Sequence, residues 1–176
     1  DESRLNTAEK KYVGYLRNWN LRNDVNEVGA SVFRAIWDSL EVAVWADEFK
    51  NAKLPLQWPD ESTLLEQMLR DSVILFQDNI TTPNISETMF DALTVAIKKA
   101  VPNLQQMEKE GTLAWGAFKD TRVNHLLKIP SLSRLHLPIG GGVHIINATT
   151  NNHGPSWRMV VHLVDGIEAY LSLIHI

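Results

Sequence analysis

The chain has 176 residues, with 21 acidic and 17 basic side chains and no cysteine. Its 44% hydrophobic and 22% charged residues are typical of a globular protein and exclude a disordered, collagen-like or disulfide-stapled chain. The lack of cysteine excludes thiol catalysis, and the net charge of -4 argues against a general nucleic-acid binder. No apolar run reaches the roughly 18 residues of a membrane-spanning helix, so we expect neither nucleic acid nor membrane as a partner.

The first 110 residues are predicted to be helical because apolar side chains recur there at steps of three and four residues. Pro102 is expected either to stop the last of these helices or to start a further short one through Met107. The predicted helices cover residues 5–16, 30–49, 63–76 and 86–101.

The same helical spacing predicts which side chains face the core. In the second helix Phe33, Trp37 and Trp45 are interpreted as core residues. In the fourth helix, Phe90 is among the side chains predicted to face the core. The paired carboxylates Asp47 and Glu48 are interpreted as a solvated helix face rather than as an acid/base pair.

The composition changes near Glu110. Residues 1–110 carry a net charge of -6, whereas residues 111–176 carry +2 and contain all six histidines. Apolar and polar residues alternate over 156–164, which predicts a strand, and further strands are expected over 143–148 and 167–170. Asp165-Gly166 is a tight-turn signal. The sequence therefore predicts an α+β fold, helical over its first two thirds and antiparallel β at its end.

Histidines and glycines of the second part are the first candidates for chemistry. No two histidines have the i, i+4 spacing that places two imidazoles on one helix face, so structural or surface roles are favoured over a metal site. The triple glycine Gly140–Gly142 is followed by a strand pattern rather than by a helix, which favours a turn over a phosphate-binding loop.

A serine triad is the remaining candidate. His153, Ser156 and Asp165 have the residue types of such a triad, but nearness in sequence does not make one. Ser156 also lacks the strand-to-helix elbow that exposes a serine nucleophile. From the residues alone we therefore expect an α+β domain without a self-evident active site.

The second part resembles the C-terminal region of the penicillin acylases, also called penicillin amidases. The resemblance is firm over the last third of the chain and weaker over the helical part. The segments that carry it are Trp115-Gly116, Thr121–Leu126, Leu137–Gly142, Ile146–Ala148 and His153–Val161.

This resemblance implies an N-terminal-nucleophile hydrolase with an αββα core, cleaved into α and β subunits. Such enzymes hydrolyse linear amides in penicillins, acyl-homoserine lactones or similar N-acyl compounds. The nucleophile is the serine at the start of the β subunit, whose own α-amine acts as base. Many members bind calcium, and a periplasmic or secreted location is implied. No residue here matches the family's nucleophile, oxyanion donor or calcium ligands, so no catalytic, cofactor or metal position is carried over.

We therefore expect a C-terminal fragment of a β subunit that is inactive alone and has the remaining β subunit and the α subunit as partners. Residues 1–110 form its expected helical segment and residues 111–170 its strand-rich segment. Residues 171–176 resemble a translated sequencing adapter, as in a truncated metagenomic read. The alternative is a non-enzymatic helical binding or scaffold module with a β cap.

Overall fold

The computed structural model describes residues 2–50, 56–70, 76–154, 157–166 and 168–173. These residues form α-helices and antiparallel β-strands, which confirms the predicted α+β class. The helices are α1 (Thr7–Arg17), α2 (Gly29–Lys50), α3 (Glu61–Leu69), α4 (Met89–Glu110) and α5 (Trp115–Lys119). The strands are β1 (Thr121–Val123), β2 (Arg134–Leu137), β3 (Trp157–His162) and β4 (Glu168–Leu173). No helix within the described residues is long and apolar enough to cross a membrane.

The chain divides into two compact units, residues 1–18 with 32–109 and residues 19–31 with 110–176. The core of the first unit contains Val44, Trp45, Leu64, Ala96 and Leu104, each at most 1% exposed. These residues lie on α2, α3 and α4. Helical periodicity therefore buries one face of each of these helices, as expected for amphipathic segments.

Two aromatic side chains predicted to be core are exposed, and a third, Trp37, is half-buried. Phe33 is 42% exposed and Phe90 is 74% exposed, whereas Trp45 is buried as predicted. Phe33 instead stacks on Trp37, with their ring centroids 5.7 Å apart. The prediction for Phe33 and Phe90 was wrong because a spacing of three or four residues fits a broad stripe, and only its centre is covered.

The helix boundaries differ from the predicted ones at two places. Helix α4 continues through Pro102 to Glu110, so this proline neither stops the helix nor starts a new one. Proline removes one backbone hydrogen bond, but burial of Val101 and Leu104 on either side favours the continuous helix. Helix α3 ends at Leu69, and the predicted continuation over 71–75 lies outside the described residues.

The second unit contains two separate antiparallel ladders. Strands β1 and β2 pair Thr121 with Leu137. The β3–β4 ladder pairs six residues of each strand, from Trp157 opposite Leu173 to His162 opposite Glu168, and confirms the predicted hairpin around Asp165-Gly166. Helix α5 and strands β1 and β2 were not predicted, because elements of three to five residues carry too little periodicity.

The predicted strand over 143–148 is wrong. This segment forms turns, and an isolated parallel bridge joins Gly142 to Ala148. The amide of Gly142 donates to the Asn147 carbonyl and the amide of Thr149 donates to the Gly142 carbonyl, at 3.1 and 3.2 Å. These short-range bonds close a tight loop before a strand can extend. The adapter origin predicted for residues 171–176 concerns the coding DNA and stays a prediction.

Helix α1 is joined to α4 in the first unit by one carboxylate. Glu108 accepts hydrogen bonds from Lys11 Nζ at 2.7 Å, from the Tyr12 hydroxyl at 2.8 Å and from the Tyr15 hydroxyl at 3.3 Å. The hydrogen bond from Lys11, followed by that from Tyr12, lowers the pKa of Glu108. Tyr12 is fully buried, so its hydroxyl has no alternative partner in water.

We predict that Tyr12→Phe lowers the free energy of unfolding by about 1.5–3 kcal/mol, the range for a hydrogen bond to a charged group. Tyr15→Phe is the matched control and should cost less than about 0.5 kcal/mol, because its hydrogen bond is long and part-exposed. Urea denaturation of both variants measures the difference. Equal losses would show that the Tyr12 hydrogen bond has no special weight.

Candidate functional site

Helix α5 is fixed to an earlier segment of its own unit by two backbone hydrogen bonds. The amides of Trp115 and Gly116 donate to the carbonyls of Glu27 and Val25, each at 2.8 Å. The helix ends at Asp120, which adopts the left-handed conformation with φ 47°. These contacts hold the last helical residue, Lys119, in a defined position.

The glycine segment Gly140–Gly142 passes close to other backbone atoms. A Cβ at Gly140 would lie 2.7 Å from the Asn23 carbonyl oxygen. A Cβ at Gly141 would lie 2.2 Å from the Asn147 carbonyl oxygen, and the φ of Gly141 is +91°. The segment is an irregular loop, within the predicted alternatives of a turn or flexible loop, and at Gly141 glycine is required for both space and backbone conformation.

The side chain of Lys119 ends at this loop. Its Nζ donates to the Gly140 carbonyl at 2.7 Å, to the Gly141 carbonyl at 3.3 Å and to the Thr149 hydroxyl. The Thr149 hydroxyl in turn donates to the Gly140 carbonyl at 3.0 Å. Trp115 Nε1 donates to the Gly141 carbonyl at 2.7 Å. We call Lys119, Gly140, Gly141 and Thr149 the lysine cage.

The lysine cage is buried. Lys119 is 9% exposed and Thr149 is 1% exposed. Burial lowers the pKa of Lys119 to about 8, because removal from water disfavours the ammonium form. The partners of Nζ are neutral oxygens, and the indole ring of Trp115 lies 6.0 Å from Nζ. At pH 7 Lys119 Nζ is therefore mostly protonated, and it donates hydrogen bonds to these three neutral oxygens.

This arrangement differs from a phosphate-binding loop. The amide of Gly141 donates to the Asn23 carbonyl and that of Gly142 to the Asn147 carbonyl, so neither is directed at an anion. In the described residues 143–154 that follow the glycines, no helix starts. Sequence reasoning identified the glycines but missed Lys119 and Thr149, because nothing in the spacing distinguishes this lysine from a surface lysine.

A second polar cluster follows directly in the chain. Asp120 Oδ1 lies 2.7 Å from His136 Nδ1, and Asp120 Oδ2 accepts from Arg122 Nε at 2.9 Å. Both Asp120 and His136 have positive φ, of 47° and 55°. The hydrogen bond from Arg122, followed by that from His136, lowers the pKa of Asp120. The cluster fixes the β1–β2 ribbon to the end of α5.

The other histidines have separate local partners. His153 Nδ1 lies 2.9 Å from the Gly154 carbonyl oxygen, and His125 Nδ1 accepts from the Leu127 amide at 3.3 Å. His162 Nδ1 lies 3.7 Å from a Glu168 carboxylate oxygen. Within the ranges that the structure covers, no three histidine or carboxylate groups are placed to hold a metal. His175 lies outside the described residues.

The residues of the candidate triad do not form one in the part that the structure describes. Ser156 lies outside the described residues. The His153 ring is paired with the Gly154 carbonyl, and Asp165 is exposed in the turn between β3 and β4. Among the described residues, Asp165 therefore makes no contact that would orient His153 as the general base of a triad.

The pair Asp47–Glu48 does not lie on a solvated face, so that interpretation was wrong. Both residues are half-buried, and burial raises the pKa of Glu48 to about 7. Asp47 Oδ2 accepts from the Ile80 amide at 3.0 Å, and Glu87 Oε2 accepts from the Asn79 amide at 3.0 Å. These carboxylates fasten the loop before α4, beside a cavity of about 170 Å³.

Comparison with known proteins identifies the chain. A sequence model of the family described as penicillin amidase matches residues 2–174. The match covers nearly the whole chain, so the chain belongs to the penicillin amidase family, whose members are amidohydrolases. Searches of curated proteins and of solved structures found no match.

Calcium binding, which the resemblance implies, does not fit the described residues. They contain no group of three or more histidine and carboxylate side chains that could hold a metal ion. Carboxylates of Asp47 and Glu87 accept amide hydrogen bonds from the chain itself. We therefore assign no calcium ligand among the described residues.

We predict that Gly141→Ala lowers the free energy of unfolding by about 3 kcal/mol or more, because the new Cβ meets a backbone carbonyl and φ is positive. Gly166→Ala is the matched control. Its φ is +99° but the position is open, so only conformational strain of about 1–2 kcal/mol is expected. The free energies of unfolding of both variants, measured with denaturant, separate the steric clash from the backbone strain. Equal losses would show that the close approach to the Asn147 carbonyl oxygen is unimportant.

We also predict that stability rises with pH through Lys119. Burial lowers its pKa from 10.5 to about 8, so between these values the unfolded chain keeps a proton that the folded chain has lost. The free energy of unfolding should rise by about 1.4 kcal/mol per pH unit in that window and be independent of this group below it. Lys119→Met removes the titration, and subtracting its pH profile cancels other groups. If the free energies of unfolding of the natural chain and of Lys119→Met change in parallel between pH 8 and pH 10.5, the prediction is wrong.

Proposed function

We propose that the chain is the C-terminal part of the β subunit of an amidohydrolase that cleaves linear amides of N-acyl compounds such as penicillins or acyl-homoserine lactones. The observation that carries the proposal is the family match over residues 2–174. It favours an enzyme over the alternative of a helical scaffold module, which no feature of the described residues supports.

In the proposed mechanism the nucleophile is an N-terminal serine outside these 176 residues. Its hydroxyl attacks the amide carbonyl while the serine's own α-amine takes the proton. Backbone and asparagine donors stabilise the oxyanion, the amine leaves, and water hydrolyses the acyl-enzyme. A nucleophile outside these 176 residues agrees with the polar groups described above. Lys119, Asp120 and Glu108 are each hydrogen-bonded to partners in their own unit.

The contribution of this chain is a frame for the catalytic parts. Strands β3 and β4 form a two-stranded sheet, and Met159 and Val160, on opposite faces, are 53% and 54% exposed. A two-stranded sheet is marginally stable alone and gains from further strands or a covering layer. We therefore propose that this sheet is completed by the remaining β subunit and the α subunit within an αββα core.

A periplasmic or secreted location and calcium binding elsewhere in the enzyme complete the proposal. Both rest on family resemblance. The residues that select the acyl group are likewise proposed to lie in other segments of the enzyme.

The function is tested with chromogenic N-acyl amides. The full-length enzyme should release the chromophore, and the purified 176-residue chain should release none above blank. Ser156→Ala in the full-length enzyme should change kcat/KM by less than about threefold, because Ser156 is not the proposed nucleophile. Replacing the N-terminal serine by alanine is the matched control and should abolish turnover.

Two outcomes would contradict different parts of this proposal. Turnover by the isolated chain would place the nucleophile within these 176 residues. A full-length enzyme that is folded and processed, but hydrolyses no N-acyl amide, would overturn the assigned activity.

A further inference from the structure

Strand β2 carries a bulge at His136. Between the two paired positions of the β1–β2 ladder, β1 contributes Arg122 alone, whereas β2 contributes Leu135 and His136. An extra residue of this kind re-aims side chains and is common beside active sites. His136 has a φ of 55°, in the left-handed region that glycine adopts without strain. The chain nevertheless has a histidine here, and strained positions of this kind suggest a function for the side chain.

The His136 ring is oriented by a charged carboxylate. Its Nδ1 lies 2.7 Å from Asp120 Oδ1, and Asp120 Oδ2 accepts from Arg122 Nε at 2.9 Å. The hydrogen bond from Arg122 is the largest cause of the lowered pKa of Asp120, so this carboxyl group is charged at neutral pH and only accepts hydrogen bonds. His136 Nδ1 therefore carries the proton, and Nε2 has the free lone pair of the neutral ring. The His136 side chain is 69% exposed, so Nε2 is accessible to molecules in solution.

Three other histidines lack this combination. His162 is similarly exposed, at 64%, but its Nδ1 lies 3.7 Å from Glu168 Oε2, too far for a hydrogen bond. The ring of His153 faces a neutral backbone carbonyl. Nδ1 of His125 accepts a hydrogen bond from an amide, so the proton of its neutral ring lies on Nε2. The hydrogen-bonded carboxylate distinguishes His136 from these three.

An imidazole oriented by a carboxylate gains reactivity in two ways. The proton held on Nδ1 keeps the Nε2 lone pair free, and the negative charge stabilises the imidazolium that forms when Nε2 takes a proton or an acyl group. Histidine is itself a nucleophile in covalent catalysis. It is suited to esters with an aryloxide leaving group, which departs without a general acid. Amines leave poorly without such an acid, so N-acyl amides are not expected substrates of this pair.

We propose that His136 is an acyl-transfer site for activated aryl esters, with Asp120 as its positioning residue. Nε2 attacks the ester carbonyl, the bond from the acyl carbon to Nε2 forms, the bond to the aryl oxygen breaks, and aryloxide leaves. Asp120 balances the positive charge of the acylimidazolium. Water then attacks the acyl carbon and gives both of its protons to solvent, and the bond to Nε2 breaks, which releases a carboxylate and restores His136. The proposal is independent of the N-terminal serine.

Site-resolved acylation tests the first step. Diethyl pyrocarbonate is an activated acyl donor that leaves a carbethoxy group on imidazole, and mass spectrometry reads the rate at each histidine. In the 176-residue chain His136 should react about tenfold faster than the matched control His162, because a hydrogen bond to a charged group is worth about a factor of ten. Asp120→Asn should abolish this difference, since it keeps the side-chain shape and tolerates the left-handed conformation.

Hydrolysis of p-nitrophenyl acetate tests the complete cycle. The chain has six histidines. With His136 reacting about tenfold faster than each of the others, His136→Gln should lower the second-order rate constant about threefold. Asp120→Asn should come close to the same value. The matched control His162→Gln should lower the rate constant by less than about a tenth.

His136→Gly separates the function of the ring from its effect on stability. Glycine loses the hydrogen bond to Asp120 but relieves the left-handed backbone, so the melting temperature should change by less than about 3 °C. Ester hydrolysis should fall as in His136→Gln. A melting temperature lowered well beyond this range, with ester hydrolysis unchanged, would show a purely structural histidine and overturn the proposal.

Two further results would overturn the proposal. These are equal acylation rates at His136 and His162, and an unchanged rate at His136 in Asp120→Asn. Both histidines are read in one sample, so a chain that fails to fold gives equal rates and also counts against the proposal.

Discussion

A buried ammonium group is the constraint on which the second unit depends. An unpaired charge removed from water costs far more than a typical hydrogen bond contributes, so its surroundings must supply partners. At Lys119 these partners are two backbone carbonyls and one hydroxyl, all from residues 140–149. The loop must therefore bring its carbonyl oxygens together, which requires close backbone approach and glycine at Gly140 and Gly141. Helix α5, the glycine segment and Thr149 are thus joined by the hydrogen bonds of one buried side chain.

The first unit uses its charges in a related way, although with the opposite sign. Glu108 collects donors from α1, and Asp47 and Glu87 collect backbone amides of the loop before α4. A carboxylate that accepts several hydrogen bonds is stabilised in its charged form and is poorly suited to proton transfer. Lys119, Asp47 and Glu87 therefore hold backbone segments in place, and Glu108 holds two helices together. This is the behaviour of a framework, and it agrees with the proposal that the catalytic serine lies outside these 176 residues.

The exposed apolar side chains of β3 and β4 also indicate a part of a larger enzyme. Strands β3 and β4 leave apolar side chains on both faces in contact with water, and a two-stranded sheet does not bury enough surface to be stable alone. Within a penicillin amidase such a hairpin is suited to join a larger sheet. The framework role and the exposed strands together support the view that this chain works as one part of a larger enzyme.

The sequence by itself determined the α+β class, the main helices, the β3–β4 hairpin and the family, because these depend on patterns repeated over many residues. It could not determine that α4 continues through Pro102 or that Phe33 is exposed, since burial by distant residues decides both. The sequence likewise predicted neither the loop at 143–148 nor the lysine cage. Lys119 lies about twenty residues before the glycines and about thirty before Thr149, and only tertiary structure brings a charge and its oxygens together. The spacing of apolar residues along the chain indicates how helices and strands pack. The partners of a buried charge are distant in sequence, so no local pattern reveals them.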